Sequence, residues 1–173
     1  MPTITADWLI ELLSEYVRQT GRVVDLLLIG ALALQAYGYR DRLTQAIDGE
    51  LAGPIEPLAQ FLMAQNIPAD LTQDLSGWSV VAMPPGYRDR ATDLINRPEL
   101  RVRLLAPADF IIAKLRRGTE LDLDDATFVA RRFSIPPTAI QESAEAAVAA
   151  SRQDTALFLF RKTVELFCQH LGR

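Results

Sequence analysis

The feature that most constrains the fold is a mostly apolar run that ends abruptly at a glycine. Residues 23–29 read VVDLLLI, which is typical of a buried strand, and Gly30 follows directly. The next residues, ALALQAYGY at 31–39, place alanine and leucine on the buried side of a short helix. A helix that starts at a glycine turn presents free backbone N–H groups. Such a turn either seats a phosphate or serves only in packing.

A second strand, predicted over residues 43–51, carries two carboxylates. Because successive side chains of a strand point to opposite faces, Asp48 and Glu50 share one face, about 6.6 Å apart along the backbone. Carboxylates so placed can share a Mg²⁺ ion, which is the usual metal of phosphoryl and nucleotidyl transfer. The alternative is that they solvate the outer face of an edge strand. Gly49 between them either admits a ligand or bends the strand.

The rest of the chain divides into an α/β part and an all-α part. Residues 1–105 are predicted to form the α/β core, and residues 106–173 a helical extension packed on it. The further predicted helices are 5–19, 54–66, 107–117, 121–133, 138–151 and 154–171. The further predicted strands are 79–83 and 100–105, whereas 68–78 is predicted as a loop and 84–90 as a turn.

Composition excludes several classes of protein. The 173 residues are 49% apolar and 23% charged, as in a globular domain. One cysteine and one histidine exclude a disulfide framework and a multi-cysteine zinc site, and they argue against a histidine metal cluster. The net charge of −4 disfavours a general non-specific DNA-binding surface. No signal-like start and no apolar stretch of about 20 residues occurs, so we expect a cytoplasmic protein without membrane contact.

Two motifs together resemble a known superfamily. Gly30, a small residue, a helix, Gly-Tyr-Arg at 38–40, Thr44 and then Ile-Asp ending at Asp48 resemble the DNA polymerase β-like nucleotidyltransferases. The closest likeness is to uncharacterised bacterial nucleotidyltransferase-like domains related to abortive-infection toxins and minimal nucleotidyltransferases. Residues 104–129 are similar to a family segment with a helical lysine, an arginine and then Asp-x-x-Asp. The resemblance covers roughly residues 8–133.

The resemblance implies a fold and an activity. The fold is a mixed sheet with flanking helices, followed here by the helical extension. The activity is transfer of a nucleoside monophosphate from an NTP to a hydroxyl of a protein, an RNA or a small molecule, with Mg²⁺ as cofactor. Backbone N–H groups of the glycine turn would bind phosphate, and basic side chains would neutralise its charge. The residues implied in nucleotide binding are Gly30, Ala31, Arg40, Lys114 and Arg116.

The metal carboxylates depart from the family pattern. The first of them falls on Ala46, which cannot bind metal, so that only Asp48 matches. In one interpretation the pair is shifted along the strand, and Asp48 with Glu50 holds the metal and performs catalysis. In the other the site is degenerate, and the chain is a non-catalytic interaction or regulatory protein, antitoxin-like or a scaffold. A third carboxylate is expected on a later strand, where Glu99 is the nearest candidate.

Other residues leave structural and functional interpretations open. Asp122 and Asp125 suit the start of a helix and can also anchor the Lys114 and Arg116 cluster. Trp78 is expected to pack under its loop rather than stack on a base. The last helix, 154–171, has an apolar face wider than one core stripe needs, which suits packing on the core or against a second copy. The expected partners are therefore a nucleotide, a protein or RNA acceptor, and a homodimer mate.

Overall fold

The computed structural model describes residues 3–173 as eight α-helices and five strands. The helices are α1 (Ala6–Thr20), α2 (Ala31–Ala36), α3 (Glu56–Ala64), α4 (Tyr87–Arg90), α5 (Pro107–Arg117), α6 (Glu120–Arg132), α7 (Pro137–Ala149) and α8 (Ala156–Leu171). The strands are β1 (Val24–Leu28), β2 (Ile47–Leu51), β3 (Ala69–Thr72), β4 (Thr92–Asn96) and β5 (Leu100–Leu104). None of the helices in this part of the chain is long and apolar enough to cross a bilayer.

The chain forms two compact units that interleave along the sequence. The first unit comprises the described part of Met1–Gln73 together with Ala91–Leu104, and it contains all five strands. The second unit comprises Asp74–Arg90 together with Leu105–Arg173. The chain therefore passes from the first unit to the second after Gln73, returns to the first at Ala91, and passes to the second again after Leu104.

The first unit is built on one mixed sheet with β1 at its centre. The strand order is β3-β2-β1-β5-β4. Strand β1 is antiparallel to β2 and parallel to β5, β2 is parallel to β3, and β4 is antiparallel to β5. The α/β class and the mixed sheet with flanking helices, both predicted above, are confirmed.

The two faces of this sheet differ in chemistry. On one face Leu26, Leu28 and Val102 are buried with the apolar side of α1, including Leu9 and Leu13. The pairing register places mostly charged side chains on the opposite face. We call it the charged face, and its members are Asp25, Asp48, Glu50, Asp70, Arg101 and Arg103.

The second unit is organised around α5. This helix packs against α6, α7 and α8, and Phe110, Ile111 and Ile112 are fully buried there. The segment 74–90 is tied to the same helices. The guanidinium of Arg90 donates to both carboxylate oxygens of Asp109 on α5, at 2.9 Å each. Segment 74–90 therefore depends on helices that follow it in the sequence.

The observed helix boundaries lie close to the predicted ranges, and local capping groups explain them. Thr5 caps α1 by accepting a hydrogen bond from the Trp8 N–H, and Gly21 ends the helix in the left-handed conformation. Helix α6 begins with a capping box between Thr119 and Asp122. Helix α2 is shorter than expected and ends at Ala36, because the chain turns at Gly38 with a φ of 110°.

The strand predicted over 79–83 is wrong. This stretch is irregular, because hydroxyl groups take the place of a neighbouring strand as hydrogen-bond acceptors. The N–H of Val81 donates to the Ser79 hydroxyl, and the N–H of Ala82 donates to the Ser151 hydroxyl at 2.8 Å. The apolar residues of this stretch therefore indicated that part of it is buried, but they did not indicate whether its backbone pairs with a neighbouring strand.

The predicted set of strands needs correction at three further places. Strand β3 lies in the stretch 68–78 that was predicted as a loop, and β4 was not predicted. Strand β2 begins at Ile47 rather than at residue 43. The reason for the late start is local, since the Thr44 hydroxyl accepts from the Ala46 N–H and donates to the Ala46 carbonyl, which forms a turn.

We predict that Gly49→Ala destabilises the first unit. A Cβ atom at Gly49 would lie 2.7 Å from Leu26 Cδ1 and 2.9 Å from the Leu27 carbonyl oxygen, so the space is taken by β1 and not by a ligand. We expect a loss of roughly 1–3 kcal/mol in the free energy of unfolding, as for overpacked cores. Urea unfolding measures it, with Gly77→Ala as control, since nothing lies within 4 Å of a Cβ there. Equal stability of the two variants would contradict this packing.

Candidate functional site

Asp48 lies directly against the glycine turn. A Cβ atom at Gly30 would overlap the Asp48 carboxylate, and it would come within 2.9 Å of Asp48 Cβ. The backbone pairing sets this position, because the Ile29 N–H donates to the Asp48 carbonyl at 3.2 Å. Gly30 is thus required so that the carboxylate of β2 can sit beside the start of α2.

Glu50 lies one strand repeat further from the turn. It faces the same side as Asp48, pairs in register with Leu27, and is only 5% exposed. Asp48 is half-buried. Since β2 lies between β1 and β3, it is not an edge strand. The alternative that these carboxylates merely solvate an exposed edge is therefore wrong.

Asp48 and Glu50 can hold a metal ion only together with ligands that the protein does not supply. Within residues 3–173, no three or more His, Cys, Asp or Glu side chains are grouped closely enough to bind an ion. Magnesium is usually held by one or two carboxylates together with substrate phosphates and water. Asp48 and Glu50 fit that second kind of site.

The other predicted nucleotide-binding residues of the first unit lie close to the glycine turn in the sequence. Ala31 is the first residue of α2, and the Leu34 N–H donates to the Gly30 carbonyl to close the first helical turn. Arg40 is exposed in the turn that follows α2. Gly30, Ala31 and Asp48 are thus brought together, and Arg40 lies on an open loop.

Lys114, in the second unit, is buried among carboxylates. Its ammonium nitrogen lies 3.0 Å from Asp125 Oδ2 and 3.7 Å from Asp122 Oδ1. Both aspartates are 1% exposed. The structure therefore shows Asp122 and Asp125 anchoring the basic end of α5. Any contact of Lys114 with a nucleotide stays a prediction.

Asp122 connects this ion cluster to the start of α6. Burial acts to raise the pKa of its carboxyl, but hydrogen bonds from Arg117 and Thr119 outweigh it and hold the pKa below the ordinary 3.8. Arg117 donates to both oxygens, at 2.7 and 2.8 Å. The ionised carboxylate consequently stabilises the fold above the unfolded-state pKa, and this contribution disappears as the pH falls through the lower folded-state pKa.

Sequence reasoning missed Asp70. It lies on β3 in register with Asp48, so that it shares the charged face. The signal was the alternation of Ala69 and Leu71 with Asp70 and Thr72, which the nearby proline and aspartates obscured. Glu99, the predicted third carboxylate, is exposed and immediately precedes β5.

Asp25 and Arg103 form a second feature of the charged face. The Arg103 guanidinium donates to Asp25 Oδ1 at 3.2 Å, between the parallel strands β1 and β5. The lone acidic residue within the apolar run 23–29 was the available signal. A carboxylate in a central strand requires a cation nearby, because an isolated buried charge is costly.

Two apolar features differ from a simple core. Trp78 is 41% exposed, so the prediction that it packs under its loop is wrong. Helix α8 leaves Phe158, Leu159 and Leu166 exposed beside its buried stripe. This wide apolar face was predicted, whereas dimerisation through it stays a prediction.

Comparison with known proteins identifies one match. A family model described as "Nucleotidyltransferase of unknown function (DUF6036)" matches residues 7–136, which is more than half of the chain. Neither a curated protein nor a solved structure matches the chain.

We predict that Lys114→Met strongly destabilises the protein. The change leaves Asp125 buried without its ammonium partner, which typically costs about 3–5 kcal/mol of unfolding free energy. Lys162→Met is the matched control, because its pair with Glu165 is half exposed and is expected to contribute about 0.2–1 kcal/mol. Urea unfolding of both variants measures the difference, and equal losses would show that the α5–α6 ion cluster is not stabilising.

Proposed function

This chain belongs to the DUF6036 family of nucleotidyltransferases, and from that premise we propose that its first unit binds an NTP with Mg²⁺ and transfers the nucleoside monophosphate to a hydroxyl group. The observation that carries the proposal is the Asp48 carboxylate seated against the Gly30 turn. On this proposal the family is a branch of the DNA polymerase β-like superfamily, near abortive-infection toxins and minimal nucleotidyltransferases.

The glycine turn is proposed to bind the phosphates. The backbone N–H groups of Gly30 and Ala31 lie at the start of α2. As at any helix start, no preceding helical turn supplies carbonyl acceptors for them. The exposed Arg40 adds a positive charge that is free to reorient toward an anion. The predicted phosphate contacts of Lys114 and Arg116 are not required by this proposal.

Asp48 and Glu50 are proposed to hold the metal. Their shared face and their partial or full burial provide two oxygen donors, and the phosphates of the NTP complete the ligand set. When bound, Mg²⁺ neutralises charge that develops on the phosphates during transfer. Asp48, being nearer the turn, is the carboxylate that positions the reacting phosphate.

The reaction itself is a displacement at phosphorus. The acceptor hydroxyl oxygen forms a bond to the α-phosphorus, the bond from that phosphorus to the bridging oxygen breaks, and pyrophosphate leaves. The hydroxyl proton passes to solvent. A hydroxyl of a protein, an RNA or a small molecule satisfies this chemistry.

We expect Asp48→Asn to abolish metal-dependent NTP binding. A ligand at 100 times its Kd stabilises by about 2.7 kcal/mol, and each kcal/mol raises Tm by about 2–4 °C in a chain of this size. Thermal unfolding with each NTP, with and without Mg²⁺, tests this, and pyrophosphate release tests transfer. Glu11→Gln, on the exposed side of α1, is the control. The absence of any Mg²⁺-dependent shift in the native protein would refute nucleotide binding.

A second candidate function is a non-catalytic nucleotide-binding or regulatory protein. It is favoured by the identity of residue 46. Ala46 immediately precedes β2, at the position where the superfamily that this sequence resembles carries its first metal-binding carboxylate. A site with one such carboxylate missing binds metal weakly. On this alternative the chain retains the turn and Asp48 but transfers nothing.

Two further variants separate the candidates. If Asp48 and Glu50 form the working pair, Glu50→Gln lowers Mg²⁺-dependent NTP stabilisation as strongly as Asp48→Asn does, and Ala46→Asp adds nothing. We expect this outcome. The opposite pattern, in which Ala46→Asp strengthens NTP binding and Glu50→Gln is neutral, would establish the degenerate site. Both are read by the same thermal unfolding assay.

A further inference from the structure

Helix α8 carries an exposed apolar stripe in addition to its buried one. The buried side packs against α5 and α7. On another side of the helix, Phe158, Leu159 and Leu166 are 72%, 67% and 53% exposed. These three side chains therefore do not cover a core, which was one of the two roles expected for the wide apolar face of α8. The other role, contact with a second copy of the chain, is the one left to them.

The spacing of the two exposed leucines suits pairing with a second copy. Leu159 and Leu166 are seven residues apart, which is close to two helical turns, so they lie on one side of α8. They are also equally far from the midpoint between Lys162 and Thr163. If a second α8 lies antiparallel, with a two-fold axis at this midpoint, Leu159 of each copy meets Leu166 of the other. Phe158 widens the contact beside Leu159.

The charges between the leucines favour the same arrangement. Lys162 and Glu165 form an ion pair at 3.3 Å, and each side chain is half exposed. In the antiparallel pair, Lys162 of one copy lies within about two residues, or 3 Å along the axis, of Glu165 of the other. Each lysine then has two glutamates beside it, its own and that of the second copy. A parallel pair would instead set Lys162 opposite Lys162 and Glu165 opposite Glu165, and like charges destabilise an interface.

We propose that α8 is a homodimer interface in which two copies of the chain pack antiparallel about a two-fold axis. Such an interface is closed, because each copy uses the same stripe and no stripe is left to bind a third copy. A standard interface buries roughly 800 Å² per partner, which is more than three apolar side chains provide. We therefore expect weak, reversible dimers at micromolar to millimolar concentration. No residue assigned to the nucleotide site lies on α8, so the inference goes beyond the proposed function and does not rest on it.

Sedimentation equilibrium from micromolar to millimolar concentration tests the interface. Leu159→Glu and Leu166→Lys should each weaken dimerisation at least tenfold, because each sets a charge against an apolar side chain of the other copy. Both charges suit the helix dipole at their end of α8, so we expect the fold to persist. Met63→Lys is the matched control, since Met63 is 73% exposed near the end of α3. The proposal is overturned if the native chain stays monomeric, or if the α8 variants dimerise no more weakly than the control.

Cysteine cross-linking tests the direction of the two helices. The background is Cys168→Ala, because Cys168 is the one native cysteine. A chain with both Leu159→Cys and Leu166→Cys should form disulfide-linked dimers on mild oxidation. Either substitution alone should not, since the same position in the second copy lies about 10 Å away along the axis, beyond disulfide reach. Cross-linking of the single variants, or none in the double variant, would overturn the antiparallel arrangement.

Discussion

The antiparallel pairing of β1 with β2 is the interaction on which the first unit depends. It joins the Ile29 N–H to the Asp48 carbonyl and thereby sets the acidic strand beside the glycine turn. The absence of a side chain at Gly30 leaves room for the Asp48 carboxylate, and the absence of one at Gly49 leaves room for Leu26. The two glycines thus permit close approach on opposite faces of the same strand pair. The proposed nucleotide chemistry uses only the charged face.

Buried charge is handled in two ways in this protein. In the first way, each charge has an opposite charge beside it: Asp25 forms an ion pair with Arg103, and Lys114 forms one with Asp125. Arg116 differs from these pairs, since its guanidinium donates only to the Leu75 carbonyl and its buried Nε and Nη1 have no acceptor in the described chain. Removing one member of a buried pair leaves the other charge uncompensated, so the paired charges contribute to the stability of the fold.

Local signals were sufficient for much of the fold. The helices could be predicted because caps such as Thr5 and Gly21 act within one turn, and because their apolar spacing is regular. The edge strands β3 and β4 could not, since their residues are largely exposed or half-buried and carry no apolar alternation strong enough to stand out. The segment 79–83 failed for the opposite reason. It is apolar, but its partners are the distant Ser151 hydroxyl and nearby serines.

The sequence by itself determined the strand–glycine–helix unit and the shared face of Asp48 and Glu50, because these depend on neighbours a few residues apart, and the order of its motifs indicated a nucleotidyltransferase-like domain. Tertiary structure decided that β2 is an interior strand, that Asp70 lies beside Asp48, and that the basic end of α5 is matched by Asp122 and Asp125. It also decided that Arg116 is buried with unmet donors. These are properties of residues distant in the chain, and no local pattern records which charges folding brings together.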